Sequence, residues 1–445
     1  MLRSWVMCLG IASNVLAKSL REFKKFFSDS PSLIASSPGR LDFLNTHQDY
    51  KGLPVVSVAI NKRAYVAISE ARATSRVISL NLCEEGNECV DIFDVNDVSL
   101  RSGEWFGNYV RSVIIALREK GFEVRNFNML IYSEVPIASG LASSAALQVA
   151  TLTGLNELFR LRLSRQEIAE LAYQSEHEVM GVPCGRLDQY GSVMGGITLI
   201  ETKPPFRTKT FKGFPLKFVV LDSGIKHSTR SVHSARIREL VNGLHDLLKS
   251  SKLSEDVRTF LKEDVYETDW GDLKLEVLAP LLEDVNPTSR KRIVFTLKMH
   301  ASTILALKLI EEGWTKDLNA LIEDFLEKEC PDCLIASSKS GNGVLRLLGG
   351  LINYQHVLLR DLYEVSTPEL EVIRMKALEA GALGVKISGA GMGGSLLALI
   401  GSEEEGRKVL HQIRDIVRRG WIVSVDDGAR IDYEKGARVS NENFV

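Results

Sequence analysis

The chain has 445 residues, 45% hydrophobic and 25% charged, with a formal net charge of −2. That length suggests two to three domains with ample core, and a near-neutral balance without a long basic stretch excludes general affinity for a nucleic-acid backbone. No apolar run reaches the ~18 residues needed to cross a bilayer, so the expected class is a cytoplasmic enzyme or small-molecule binder with no membrane and no nucleic-acid partner.

The first residues read either as the start of an amphipathic helix or as a short signal-like stretch with Val15-Leu16-Ala17 as a cleavage site. Lys18 to Phe27 has an apolar face at Leu20, Phe23, Phe26 and Phe27 and predicts a short helix, closed by Ser28-Asp29-Ser30-Pro31. Leu33 to Ser36 and Leu53 to Ser69 predict strands, with a turn-rich loop between them; Val77 to Leu80, Cys89 to Phe93 and Phe127 to Ser133 predict further strands. Tyr109 to Lys120, Gly140 to Leu158 and Arg165 to Val179 predict helices. Strands at Ile197–Glu201 and Leu216–Asp222 bracket a crossover into a mainly helical stretch from Ser228 to Leu326. Helices at 342–362 and 368–380, strands at 384–388 and 395–400, a helix at 402–419 and a strand near 421–426 complete an α+β chain. Six cysteines, including a single Cys330-Pro-Asp-Cys333, point to plain or incidentally paired thiols in a reduced compartment rather than to structural zinc.

Four segments carry candidate chemistry. Pro136-Ile-Ala-Ser-Gly140-Leu-Ala-Ser143-Ser144-Ala-Ala-Leu147 is a glycine turn leading into a helix N-terminus, where unpaired N–H groups favour phosphate; no lysine follows, so it is not a Walker loop. Ser388-Gly389-Ala390-Gly391-Met392-Gly393-Gly394-Ser395 suits positive φ and close approach to a ligand, or a bulged hairpin. Ser37-Pro-Gly39-Arg40-Leu-Asp42-Phe-Leu-Asn45-Thr46-His47-Gln48-Asp49-Tyr50-Lys51-Gly52 gathers groups that read vicinal hydroxyls. Glu176 late on a helix and Asp188 past a Gly-Val-Pro break offer one carboxylate for a metal and one for an attacking hydroxyl. Each segment alone also fits a capped turn or a solvated loop.

Taken together in this order, the segments resemble the GHMP kinases. Within them, His47-x-Asp49-Tyr50, Gly181-Val-Pro-Cys-Gly-Arg-Leu-Asp-Gln189, Asp222-Ser-Gly-Ile-Lys-His227-Ser, His356 through Leu370 and Asp427-Gly-Ala-Arg430 resemble the galactokinase branch, from about Leu16 to the mid-430s. The resemblance implies a two-domain GHMP-kinase fold: an N-terminal extension (1–15), a ribosomal-protein-S5-domain-2-like ATP-binding domain (16–212) and a ferredoxin-like C-terminal domain (213–445). It implies ATP and Mg2+, and transfer of the γ-phosphoryl group to a sugar hydroxyl, the anomeric 1-hydroxyl, by a monomer or weak homodimer in galactose metabolism.

By the same resemblance, Arg40 and Asp188 are catalytic, and His47, Asp49, Gly185 and Asp188 meet the sugar. Gly140, Leu141, Ala142, Ser143, Ser144, Ala145, Gly389, Gly391 and Gly393 hold the nucleotide, and Ser144 with Glu176 holds the metal. The substrate-reading shell departs from the galactokinase pattern. Thr46 stands where a glutamate is usual, Asn45 for a glycine, Asp42 for an asparagine and Arg186 for an apolar residue. The sugar-contacting tyrosine expected past His227 is replaced by Val232, His233 and Ser234. Two other readings stay open: a GHMP kinase with a non-sugar acceptor, and an inactive ATP- and sugar-binding sensor.

Overall fold

The computed structural model describes residues 2–137, 139–225, 229–336 and 343–436. In chain order its strands are β1 (Leu33–Leu44), β2 (Val55–Glu70), β3 (Ser75–Ser79), β4 (Val90–Phe93), β5 (Phe127–Ser133) and β6 (Ile197–Ile200). They continue as β7 (Thr208–Phe211), β8 (Lys217–Asp222), β9 (Gly384–Ser388), β10 (Ser395–Ile400), β11 (Arg419–Ser424) and β12 (Arg430–Glu434). Mixed helix and sheet give the expected α+β class.

The chain divides into two compact units that interleave in sequence. One comprises Met1–Arg40, Ala59–Gly195 and Asp426–Val445, the other Leu41–Val58 and Gly196–Val425. This differs from the two successive blocks 16–212 and 213–445. The long strands β1 and β2 each contribute residues to both units, and β12 returns to pair antiparallel with β1, Leu33 opposite Glu434. Ladder hydrogen bonding joins strands without regard to their distance along the chain.

In the first unit the sheet order is β12-β1-β2-β5-β3-β4, with β3 and β5 parallel and β2 and β5 antiparallel. The N-terminal helix runs Leu2–Phe27, longer than the Lys18 start read from the sequence. It buries Val15 and Phe23 against Ile34, Tyr65, Ile78 and Leu130. Helices Asn108–Glu119, Ser143–Phe159, Arg165–Gln174 and Leu187–Met194 pack on one another. The Ser143–Phe159 helix is apolar on nearly every side, as a buried helix must be.

In the second unit, β8, β9, β10 and β11 form an antiparallel sheet in the order fourth-first-third-second, the arrangement of a ferredoxin-like βαββαβ unit. The β6–β7 hairpin pairs with the start of β2, Val55 opposite Ile200. Pro287–Glu312 is long and apolar enough to cross a membrane although charged residues interrupt its apolar run; 61% of its most apolar window is buried, as in a core helix. Four cysteines pair as Cys83–Cys89 and Cys330–Cys333, so the incidental pairing is realised where plain thiols were the other expectation.

Candidate active site

Arg40 does not lie in a loop. β1 continues past Ser36 to Leu44 with every residue buried, which puts Arg40 and Asp42 on a rigid strand. Just before Arg40, a Cβ on Gly39 would stand 2.7 Å from the Leu141 carbonyl oxygen and 2.9 Å from Val135, so only glycine lets the strand pass this close beneath the 136–142 turn. The Arg40 backbone N–H donates to that same Leu141 oxygen at 3.1 Å, and its Nη1 donates to the Gly140 carbonyl at 2.6 Å. The remaining face of the guanidinium meets Asp188, Nε and Nη2 both donating to Oδ1 at 2.8 and 2.5 Å.

The glycine turn takes φ of +70° at Gly140 and +57° at Ala142 and delivers the chain to the helix starting at Ser143. That helix has no side-chain cap, although an N-terminus normally recruits one. The Ser143 hydroxyl instead donates backwards to the Val135 carbonyl at 3.5 Å. Leu141, Ala142 and Ala145 are buried, so what they offer a ligand is backbone. Uncapped N–H groups at the positive end of the helix dipole form a site for anions.

Glu176 sits in a single π-turn, Ser175–Val179, that continues the Arg165–Gln174 helix; such turns recur at functional sites. Burial raises its carboxyl above the usual range, and the nearby Asp188 charge adds to this, while hydrogen bonds from Ser144 and Gln189 oppose it. Gln189 Nε2 donates to Glu176 Oε2 at 2.7 Å. Cys184, a free thiol, is pushed up to about 12 by burial and by the Glu176 and Asp188 charges. His177 stacks on Tyr173 at 5.0 Å, a packing role.

The second unit gathers another set. His47 Nε2 lies 3.1 Å from the Ala390 carbonyl oxygen in the 389–394 turn, and its ring is 4.6 Å from Tyr363 and 5.8 Å from His233. Burial holds the His47 imidazole well below its ordinary value, with His233 and Lys51 adding to the effect. Asp49 is raised by burial and by Asp42. Tyr50 and Tyr363 share a 2.7 Å hydroxyl–hydroxyl bond, and the fully buried Lys51 lies under the Tyr50, Phe295 and Tyr363 rings. In the glycine turn, Gly391 is needed by the protein itself, because a Cβ there would stand 2.6 Å from the Val365 carbonyl oxygen; side chains at Gly389 and Gly394 would meet open space.

The candidates thus fall into two groups, each within one unit. Arg40, Gly140, Ser144, Glu176 and Asp188 come together in the first, and His47, Asp49 and the 389–394 turn in the second; Gly185 lies exposed between Cys184 and Arg186. Two departures acquire an explanation. Arg186 forms a two-pronged pair with Glu170 at 2.9 and 2.8 Å and lies 4.0 Å over the Tyr173 ring, so its charge is already matched. Thr46 is buried, with its hydroxyl donating to Asp42 Oδ1 at 3.0 Å. Sequence reasoning gave no role to Gln189, Lys386 or Lys51. It noted His233 only as standing near a missing tyrosine.

Comparison with known proteins agrees with this geometry. Residues 108–196 match the GHMP kinases N terminal domain, 336–418 the GHMP kinases C terminal domain, and 21–70 the galactokinase galactose-binding signature. The chain is 30% identical over 372 residues to a galactokinase of Thermococcus kodakarensis, covering 82% of this chain and 88% of that one. It is 28% identical over 401 residues to a galactokinase of Lactococcus lactis subsp. cremoris, covering 87% and 88%. Among solved structures it is similar in fold to Lactococcus lactis galactokinase complexed with galactose (TM-score 0.71, 24% identity, 94% of this chain and 99% of that one). It is also similar to Methanococcus jannaschii mevalonate kinase (TM-score 0.60, 18% identity, 89% and 99%). The chain therefore belongs to the GHMP kinases, in the galactokinase family, and is by that membership an ATP-dependent sugar kinase.

Proposed function

We propose that this kinase phosphorylates an uncharged sugar at the anomeric 1-hydroxyl, with Asp188 facing the attacking oxygen and galactose as the leading candidate. The observation that carries this reading is the Arg40–Asp188–Gly140 cluster beside the uncapped N-terminus of the Ser143–Phe159 helix. Arg40 occupies one oxygen of Asp188, and no described residue donates to the other. That second oxygen is suited to accept the hydroxyl hydrogen and aim the oxygen lone pair. Phosphoryl transfer needs positioning and charge neutralisation more than covalent chemistry, and Arg40, with further N–H donors held, supplies charge at the same point.

The ATP phosphates would lie on the backbone N–H groups of Gly140 through Ala145, with Gly389, Gly391 and Gly393 as the second glycine segment for the nucleotide. Magnesium fits the residues present. A buried carboxylate (Glu176) has a hydroxyl (Ser144) beside it that lowers its pKa, and no cluster of three His, Cys, Asp or Glu exists among the described residues. That sparse protein contribution is usual for an ion that keeps waters and phosphate oxygens as its other ligands. When bound, the ion offsets phosphate charge.

His47, Asp49 and the backbone at Gly185 are proposed to read the sugar hydroxyls. Arg186, the departure that puts a cation near Asp188 in sequence, is paired with Glu170 and so does not argue for an acidic sugar. Galactose leads because the similar proteins are galactokinases and the galactose-binding signature matches. Its use of ATP fits a cytoplasmic enzyme. The test is ADP release over a panel of hexoses, pentoses, uronic acids and amino sugars, followed by phosphorus NMR of the product. Turnover of galactose to a 1-phosphate supports the reading. Binding of ATP and sugar with no transfer over hours would refute it in favour of a sensor, and preference for a uronic acid would refute the uncharged acceptor.

A further inference from the structure

A second buried charge, on β9, is used by nothing described so far. Lys386 is fully buried, and its ammonium donates to Thr46 Oγ1 at 2.8 Å, to the Asp42 carbonyl at 3.1 Å and to the Ile387 carbonyl at 3.0 Å. The Thr46 hydroxyl passes its own hydrogen to Asp42 Oδ1 at 3.0 Å. Ammonium, hydroxyl and carboxylate thus form a chain in which Thr46 accepts from one charge and donates to the other.

We infer that Lys386 and Thr46 are positioning residues for the acceptor sugar: with Asp42 they form a hydroxyl-bridged charge pair that holds the His47–Asp49 segment in its binding shape. This rests on the reading that His47 and Asp49 meet the sugar. Three rungs tie residues 42–47 to 386–390: Lys386 to Thr46, the Asp42 N–H to the Ser388 hydroxyl at 3.2 Å, and His47 to the Ala390 carbonyl at 3.1 Å.

The segment needs such ties. Asn45 and His47 take φ of +62° and +64°, conformations that persist in side-chain-bearing residues only where the surroundings over-determine them. Asn45 is held separately, Nδ2 donating to the Pro54 carbonyl at 2.5 Å and Oδ1 accepting from Thr303 at 3.3 Å. Apolar side chains often replace a buried charge pair with no loss of stability, so bulk packing alone does not require an ammonium here. What the pair adds is direction: each hydrogen bond fixes one atom of the strained segment. The same arrangement explains Thr46, whose hydroxyl is committed inside the protein.

The test compares Thr46→Val, Thr46→Ser, Lys386→Met and Asp49→Asn in the full chain, by steady-state kinetics with D-galactose, or with whichever sugar turns over fastest in the panel. Valine has the shape of threonine without the hydroxyl. Thr46→Val is expected to raise the sugar KM about tenfold or more, the effect of losing one charge-assisted hydrogen bond, while the KM for ATP moves less than about threefold. Thr46→Ser restores the bridge and is expected to bring the sugar KM back to within about threefold of the original. Lys386→Met should resemble Thr46→Val; if it fails to fold, the valine–serine pair still decides. An unchanged sugar KM in a folded Thr46→Val protein overturns the inference, as does an equal rise in the serine variant. Asp49→Asn separates the two levels. If it raises the sugar KM while Thr46→Val does not, only the positioning role falls; if it too has no effect, the sugar-reading assignment falls with it.

Discussion

Replacing Asp188 by asparagine keeps the shape of the side chain and removes its charge. In the native protein Oδ1 accepts both Nε and Nη2 of Arg40, whose side chain is only 9% exposed against 27% for Asp188. Asparagine can still present Oδ1 to both donors, so the hydrogen bonds survive as weaker bonds to a neutral acceptor. Bonds to charged groups contribute about 1.5–3 kcal/mol and are roughly twice as strong as neutral ones. With the partial exposure of Asp188 discounting the gain, the expected loss of stability is about 1–2 kcal/mol, a fall of only a few degrees in Tm. The effect on chemistry should be far larger. Loss of a group that orients or accepts the hydroxyl proton costs about 10²–10⁴ in rate, so kcat should fall at least ~10²-fold while the ATP Kd moves less than about fivefold. A coupled ADP-release assay gives kcat, isothermal titration gives the Kd, and a melting curve verifies the fold. A folded Asp188→Asn protein with near-normal turnover would put the chemistry elsewhere and refute the argument.

Three further predictions use other parts of the molecule. Glu176→Gln should raise the magnesium concentration needed for half-maximal rate by about tenfold or more, since a charged oxygen ligand is lost; an unchanged magnesium titration would remove Glu176 from the metal site. Gly39→Ala should destabilise the fold by about 1–3 kcal/mol through overpacking and weaken ATP binding, because its Cβ would press on Leu141 and Val135; normal ATP affinity would mean that the turn does not hold the phosphates. Glu364 is held down to about 2 by Lys291 and Arg292, so its stabilising effect is present above its unfolded value of 4.5 and is lost as pH falls from there towards 2. Glu364→Gln should therefore lower stability by about 1 kcal/mol at pH 7, a value kept small by exposure, and the gap should narrow at pH 2–3; urea titrations at the two pH values measure it, and a gap that widens in acid would contradict the sign.

Much of the site was legible because its parts are local. A glycine turn followed by small residues and a helix start, a Gly-Arg pair, and Glu176 and Asp188 twelve residues apart are patterns a single segment carries. In the structure Arg40, Gly140 and Asp188 meet in one cluster. What local pattern misjudged was extent. Residues 37–44 contain proline, glycine, arginine and aspartate, which read as a loop, yet they extend β1 because ladder pairing and burial outweigh local preference. The short strands β7 and β12 show the converse: Thr208–Phe211 carries a single large apolar residue and Arg430–Glu434 alternates over only five residues, so neither stands out as a pattern, and each is held by the edge that β6 or β1 offers it.

The amino-acid sequence by itself determined the family, the order of the motifs and the identity of the charged groups beside the glycine turn, since those depend on residue type and short spacing. Tertiary structure alone decided which side chains are free to act. By residue type alone Arg186 is a cation in place of an apolar residue; that Glu170, sixteen residues earlier on a neighbouring helix, already neutralises it is decided by the fold. Thr46 stands in the sequence only as a departure, a threonine where a glutamate is usual; that its hydroxyl is held by Lys386, 340 residues away along the chain, is a fact of the fold. A hydrogen-bonding side chain has few lone pairs and protons to give, and whether they are already spent on an internal partner is set by folding, not by the neighbouring letters.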